Sequence, residues 1–243
     1  MINEKFDLII PIYNEGENLV SLFNHLKASI NYQHRILLCY DNEDDDVFNY
    51  LQILKEIDNK FLLVKNKYHG ACGAIKSGFE FSNKLECKIV YPADDLINAT
   101  IIDQMYEKFL EGYDIVAPSR FMKGGSMIGC PLIKSILVRF ASFSLYKLSS
   151  IPIEDASNGF RLFSKRLLNS VKIESKSGFA YSLELLVKAE RMKMKITQVP
   201  SRWEERIKGK SRFKVFKWFN QYLIWYFYGI RTSWFGEKKI NLD

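Results

Sequence analysis

The chain has 243 residues, 47% of them hydrophobic, enough to bury the core of one large or two small domains, which excludes a disordered chain. A formal charge of +7 and a pI near 9.1 favour anionic partners such as nucleotides, phospholipid headgroups or nucleic acid, without choosing among them. Cys39, Cys72, Cys87 and Cys130 form no CxxC pair and read as reduced thiols in a cytosolic compartment, and His25, His34 and His69 lack metal-ligand spacing.

The first two-thirds of the sequence alternates short β-like runs with helical patterns. Residues 8–12 (LIIPI) read as a strand, after which Leu19, Leu22, Phe23, Leu26 and Ile30 recur at helical spacing. Asn14 and Glu17 have the spacing of a capping box for that helix. Residues 35–40 give a second strand, Val47, Tyr50, Leu51, Leu54 and Ile57 a helix face, and 61–65 a third strand. Ala74, Ile75, Gly78 and Phe79 mark the next helix, its glycines allowing close packing on a sheet, and 87–91 a fourth strand. Ile102, Met105 and Phe109 mark another helix, and 114–118 another strand. This βα alternation predicts an α/β fold with a mostly parallel sheet flanked by helices. Ligands in such sheets bind beyond the carboxyl ends of the strands, where Pro11, Asp41, Asp94 and Arg120 fall.

After residue 120 the pattern changes. Gly124, Gly125 and Gly129 signal a loop. Leu132, Ile133, Ile136, Leu137, Phe140 and Phe143 then form an apolar stripe beside Lys134, Arg139 and Lys147. That is an amphipathic helix suited to a membrane surface, or to packing on the sheet. Residues 213–235 mix Trp218, Trp225 and Trp234 with Lys214, Lys217 and Arg231, a composition that favours the headgroup layer or an oligomer interface. No secretory signal and no apolar run of membrane-spanning length is evident, so no span is predicted.

Several common nucleotide sites fail on spacing. The stretch 69–78 (HGACGAIKSG) does not follow the dinucleotide GxGxxG, and the glycine a P-loop needs five residues before Gly209 is Glu204. The aromatics lie among long aliphatics rather than in a stacking platform, which argues against nucleic acid.

Five features in order carry a more specific resemblance: PIYNE at 11–15, an acidic second strand end at 41–46, the glycine-rich turn, PADD at 92–95, and NGFR at 158–161. Over about residues 6–213 the chain resembles a family-2 glycosyltransferase of the GT-A (Rossmann-like) fold. Within that family it resembles dolichyl-phosphate mannose synthases and related polyprenyl-phosphate glycosyltransferases. The resemblance implies a GT-A domain over 1–212, with a nucleotide-sugar half to about 120 and an acceptor half over 121–212. A C-terminal helical segment over 213–243 completes it.

By the same resemblance Pro11, Tyr13, Glu15, Cys39 and Asp41 line the nucleotide pocket with Ala93 and Asp94. The acidic run can equally serve as a solvated turn that caps the helix at Val47. Asp94 and Asp95 stand where the family holds Mg2+ or Mn2+ against the donor diphosphate, with Pro92 replacing the first carboxylate of the motif. Arg120 corresponds to an arginine that contacts sugar nucleotide or acceptor. Arg206 and Arg212 match a phosphate-binding loop, in which an arginine replaces the final lysine. Asp155 is the base if the acceptor is a sugar hydroxyl, and a positioning group if it is a lipid phosphate, which is already anionic.

The expected activity is inverting transfer from a nucleotide-sugar, GDP-mannose or a UDP-hexose, to a polyprenyl or dolichyl phosphate. Asp94, Asp155 and Arg120 are its catalytic residues, and the expected location is cytoplasmic, peripheral at the cytosolic face of a membrane. The absence of a C-terminal membrane domain leaves room for a membrane-anchoring partner. One alternative is transfer to a saccharide hydroxyl in surface-polysaccharide synthesis. Another is a membrane-surface binding protein without catalysis, for which Pro92 is the support.

Overall fold

The computed structural model describes residues 4–204 and 215–236. Strand β1 (Phe6–Pro11) is buried along almost its whole length, as its near-continuous apolar run requires of a central parallel strand. Its one charged residue, Asp7, is fully buried and held by Arg35 through bonds of 2.7 and 2.8 Å.

Around β1 the strands β2 (His34–Tyr40), β3 (Phe61–Lys65), β4 (Cys87–Val90), β5 (Ile115–Ser119), β7 (Arg161–Ser164) and β8 (Ile196–Pro200) form one sheet in the order β3-β2-β1-β4-β7-β5-β8. All neighbours run parallel except β7, which is antiparallel to both β4 and β5. A second, two-stranded parallel sheet pairs β6 (Ser126–Ile128) with β9 (Arg202–Glu204). The sequence pattern locates the first five strands to within about two residues and leaves β7 and β8 unseen.

Helices α1 (Gly16–Ser29), α2 (Leu51–Ile57) and α4 (Ile102–Leu110) cover one face through Leu19, Leu22, Phe23, Leu54, Ile102 and Met105. On the other face α3 (Gly70–Phe81) and α7 (Ala180–Arg191) pack Ile75, Phe79, Leu185 and Leu186 on Ile9, Leu37, Val90 and Phe163. Gly78 provides the close approach expected of it: a Cβ there would lie 2.5 Å from Ile9 Cγ2, so α3 rests directly on β1.

The capping box expected at Asn14 and Glu17 does not form. Asn14 adopts φ 51°, Glu15 is the N-cap of α1, and no side chain of this segment caps it. Carboxylates from the next loop do the work instead. Asp45 accepts from Asn14 N at 3.0 Å and Asp46 from Gly16 N at 2.9 Å. Long-range caps satisfy the orphan amides as well as local ones, and they lock the two loops together.

Two further helices join this second face by one edge each. In α5 (Leu132–Leu148) Leu145 is the apolar side chain that buries, and the other inward residues are Ser142 and Ser144. Leu132, Ile133, Ile136, Leu137, Phe140 and Phe143 are each more than half exposed. Helix α8 (Val215–Phe235) packs on α7 with Trp225 and meets α5 through Ser144 Oγ and Tyr226 OH at 2.7 Å. It too turns Phe227, Trp234 and Phe235 outward. No helix among the described residues is long and apolar enough to cross a membrane.

Candidate active site

The carboxyl ends of β1, β2, β4 and β5 meet along one edge of the sheet, and the loop before β7 joins them because β7 runs the other way. Pro11 and Cys39 are register partners there, and Ile12 N donates to Cys39 O at 2.9 Å. The Cys39 thiol points beneath α3, fully buried, and burial pushes its pKa up. Any contact this residue makes to a ligand is therefore through its main chain.

Between the β1–α1 turn and the loop after β2 lies a polar cavity of about 120 Å³, lined by Tyr13, Asn14, Asn42, Asp44 and Asp45. Tyr13 is 58% exposed at its mouth, and Glu15 accepts from the Asn18 amide beside it. Asp41 sits deeper in the same edge. It accepts from Gly70 N at 2.9 Å and from the Asn66 amide, which also donates to Gly70 O at 3.1 Å. Asp41 thus fixes the start of α3, where His69 carries φ 67°. A non-glycine residue in that backbone region persists only when its neighbours hold it. Asn14 and Asn42 were not legible as cavity residues because their role depends on the trans caps that fold one loop over the other.

The turn after β4 separates two neighbouring carboxylates. Ala93 is buried and Asp94 exposed. Asp95 faces inward, accepting from Ile97 N at 3.0 Å, Asn98 N at 2.9 Å and Asn98 Nδ2 at 2.7 Å. Burial raises the Asp95 pKa despite these donors. Asn98 also donates to Arg202 O at 2.8 Å and accepts from Arg202 N at 2.9 Å, tying β9 to this turn. The chain therefore enters the basic segment at 205 from a strand fastened beside Asp94. Arg206 and Arg212 themselves lie outside the described residues. Among the described residues no three His, Cys, Asp or Glu side chains cluster as a metal site.

At the end of β5, Arg120 meets Asp155. The guanidinium grips the carboxylate bidentately, Nε to Oδ2 at 2.6 Å and Nη2 to Oδ1 at 2.9 Å, and Arg120 N adds a third bond at 3.1 Å. Ser157 Oγ donates to Asp155 Oδ1 at 2.9 Å and accepts from Arg120 Nη2 at 2.6 Å. Asp155 has no exposed surface. Burial works to raise its pKa, but the charge and hydrogen bonds of Arg120 outweigh this and hold the carboxylate below its usual range. Burial likewise works to lower the Arg120 pKa, and Asp155 reverses it.

The loop that carries Asp155 is fixed by the NGFR residues. Asn158 Nδ2 donates to Pro118 O at 3.1 Å, Tyr181 OH to Gly159 O at 3.0 Å and Ser182 Oγ to Asn158 O at 3.0 Å. Beneath them the fully buried Arg161 donates to Ser182 O at 2.7 Å and to the carbonyls of Asp155 and Ala156 at 3.4 Å. Burial lowers the Arg161 pKa to about 10. Glu184, on the neighbouring α7, pairs with Lys188 at 2.7 Å.

Residues 7–172 match the model of the family described as Glycosyl transferase family 2. The chain belongs to glycosyl transferase family 2. A dolichol-phosphate mannosyltransferase from Pyrococcus furiosus is 26% identical over 235 residues, covering 91% of this chain and 64% of that protein. The putative glycosyltransferase CsbB of Bacillus subtilis is 28% identical over 168 residues, covering 68% of this chain and 49% of that protein. The chain thus spans about half to two-thirds of the length of these relatives. Among solved structures, glucosyl-3-phosphoglycerate synthase from Mycobacterium tuberculosis, in complex with Mn2+, UDP and phosphoglyceric acid, superposes with a TM-score of 0.70 at 12% identity, over 93% of this chain and 78% of that one. The complex of the same synthase with Mg2+ and UDP gives 0.63 at 13% identity, over 88% and 74%. These similarities establish the GT-A α/β fold for the family-2 chain described here.

Proposed function

We propose that this family-2 protein is an inverting glycosyltransferase that moves a sugar from a nucleotide-sugar to a polyprenyl phosphate at a cytosolic membrane surface. The observation that carries the reading is the state of Asp155. A general base for a sugar hydroxyl needs an accessible carboxylate with a pKa near the working pH. Asp155 is enclosed, committed to Arg120 and held low. A phosphate acceptor brings its own negative oxygen and needs no base, which leaves Asp155 to position Arg120.

The outward apolar faces of α5 and α8 favour the same acceptor class. A soluble monomer rarely turns six large apolar side chains of one helix outward, as α5 does with Leu132, Ile133, Ile136, Leu137, Phe140 and Phe143. Neither 115–153 nor 215–235 contains an Asp or Glu, so the face is apolar and cationic only, as an anionic bilayer requires. A cytoplasmic location at that surface is part of the same proposal.

The donor is assigned to the β1, β2 and β4 edge. The cavity of Tyr13, Asn14, Asn42, Asp44 and Asp45 takes the base, and Asp94 faces the diphosphate. One exposed carboxylate suits a Mg2+ or Mn2+ ion carried in by substrate phosphates, since such ions use one or two carboxylates and keep oxygen ligands from the substrate. When bound, the ion supplies neutralisation of the charge that builds on the leaving diphosphate. Asp95 is the weaker candidate for that ion, because both its oxygens cap the 95–98 turn. The mycobacterial synthase, solved with UDP and either Mn2+ or Mg2+, supports the same donor chemistry.

The test is transfer of radiolabel from GDP-mannose or UDP-glucose into organic-extractable lipid, using purified protein, polyprenyl phosphate and Mn2+ or Mg2+. Extractable label that disappears in Asp94→Ala supports the proposal. No extractable product, with clear donor-dependent thermal stabilisation, moves the acceptor to a saccharide hydroxyl with Asp155 as base. Vesicle binding without any donor binding supports the non-catalytic alternative.

A further inference from the structure

The junction between α5 and the Arg120 site contains an arrangement that neither the family motifs nor the donor chemistry uses. Phe121 follows Arg120 at the end of β5. Two guanidinium groups come to its ring, with Arg120 Cζ 5.2 Å and Arg139 Cζ 4.9 Å from the ring centroid. Arg139 reaches in from the middle of α5, steadied by Ser135 Oγ one turn earlier at 3.4 Å.

Two like charges are brought to one ring here without a carboxylate between them. Asp155 neutralises Arg120 from the buried side, and its bonds occupy Arg120 Nε and Nη2, leaving Nη1 outside this set. Arg139 takes part in no ion pair among the described residues. The surrounding sequence provides no local acid either, since Asp and Glu are absent between Asp114 and Glu154. A cation–π contact stabilises an exposed arginine by only about 0.5–1 kcal/mol. It orients the guanidinium but leaves its charge unneutralised. A planar guanidinium held in this way is preorganised for phosphate oxygens, which accept two parallel N–H bonds.

We propose that Arg139, held by Phe121, forms with Arg120 a two-arginine seat for the acceptor phosphate at the foot of the apolar face of α5. The assignment rests on the lipid-phosphate reading above and adds a residue to it. The prenyl chain lies along Leu132, Ile136 and Phe140, and the phosphate is the part of the acceptor that reaches the two guanidinium groups. Arg139 is thereby a specificity residue, favouring an anionic acceptor over a neutral hydroxyl. Phe121 is a positioning residue that acts through Arg139 and Arg120.

The experiment measures steady-state transfer with two acceptors, a long-chain polyprenyl phosphate in vesicles and a short-chain, water-soluble prenyl phosphate in detergent. Wild type is compared with Arg139→Met, Arg139→Lys, Phe121→Leu and, as a control on the same helix, Lys147→Met. Arg139→Met is expected to raise the acceptor KM at least tenfold with both acceptors, with donor KM unchanged. Arg139→Lys restores part of the loss, Phe121→Leu raises acceptor KM several-fold, and Lys147→Met has no effect on the soluble acceptor. The melting temperatures of the Arg139 variants should stay close to wild type, because the side chain is exposed.

The proposal is overturned if Arg139→Met and Lys147→Met behave alike, with the loss seen on vesicles and absent for the soluble acceptor. Arg139 would then serve only to attract the membrane. Wild-type protein that glycosylates no prenyl phosphate at all overturns the parent reading and this one together, a result visible before any variant is made.

Discussion

The two sides of the ligand-binding edge are built from opposite materials. The donor side, from β1 to the turn after β4, holds Asp41, Asp45, Asp46 and Asp95 in a web of main-chain amides, with Asp44 and Asp94 exposed beside them. The acceptor side, from Arg120 through α5, has cations and exposed hydrocarbon and no acid of its own, and the carboxylate that reaches Arg120, Asp155, is sealed under it. The donor side spends most of its acidic groups on shaping loops. Asp45 and Asp46 cap α1, Asp41 starts α3, and Asp95 closes its own turn, while Asp44 and Asp94 are turned outward, the latter at the end of β4. The acceptor side shapes its loop with neutral carbonyls and one buried arginine, and leaves its charge and apolar surface facing out. Acidic residues in a row are thus mostly architecture here.

The sharpest way to break this contrast is Arg120→Met. It strands the buried Asp155 charge, so the fold is expected to lose about 3–5 kcal/mol and transfer activity to disappear. Urea denaturation with a parallel transfer assay checks both. Next in size is Asp94→Ala, expected to lower transfer by about 10²–10³-fold through lost stabilisation of the leaving group, at nearly unchanged melting temperature. Asp95→Ala should show the reverse balance, with a lower melting temperature and a smaller loss of rate.

On the acceptor side, Phe140→Asp combined with Phe227→Asp is expected to weaken binding to anionic vesicles at least tenfold by flotation. Stability should move by no more than about 0.5 kcal/mol, since both side chains are exposed. A destabilised double variant would mean that the face is covered within the protein itself.

The smallest effect tests the electrostatics of the fold away from either region. Lys88 is buried at the start of β4 and lowered to about 8 by desolvation. An unfolded lysine titrates near 10.4, so between about pH 8 and 10.4 the unfolded chain binds more protons than the native one, and stability rises with pH in that window. Melts of wild type and Lys88→Met at pH 7.5, 8.5 and 9.5 should show wild type gaining on the variant as pH increases.

Much of the sheet was legible because β1 to β5 are apolar runs punctuated by turns, and the helices between them keep a clean period of 3.6. Strand β7 was hidden, being four residues long and beginning with Arg161, whose charge argues against a buried strand until its carbonyl partners are seen. Without β7 the sequence could not show why the 155–160 loop lies beside Arg120. The trans caps of α1 were hidden for a related reason, since a carboxylate 30 residues away leaves no local spacing to read. The Asp155–Arg120 pair, 35 residues apart, also escaped prediction, and with it the reason Asp155 is a poor base. The outward character of α5 was half legible. Its stripe was plain, but only the burial of Ser142 and Ser144 shows that the stripe faces away from the core.

The most direct measurement is kcat/KM for two acceptors offered to the same enzyme with the donor that stabilises it best, a polyprenyl phosphate and a saccharide with a free hydroxyl. An acceptor side with no acid over 115–153 and with Asp155 locked to Arg120 predicts a preference for the phosphate of at least 10²-fold, and a rate that holds as pH falls from 8 to 6. A preference for the saccharide, with a rate that falls with pH as a carboxylate base is protonated, would contradict it.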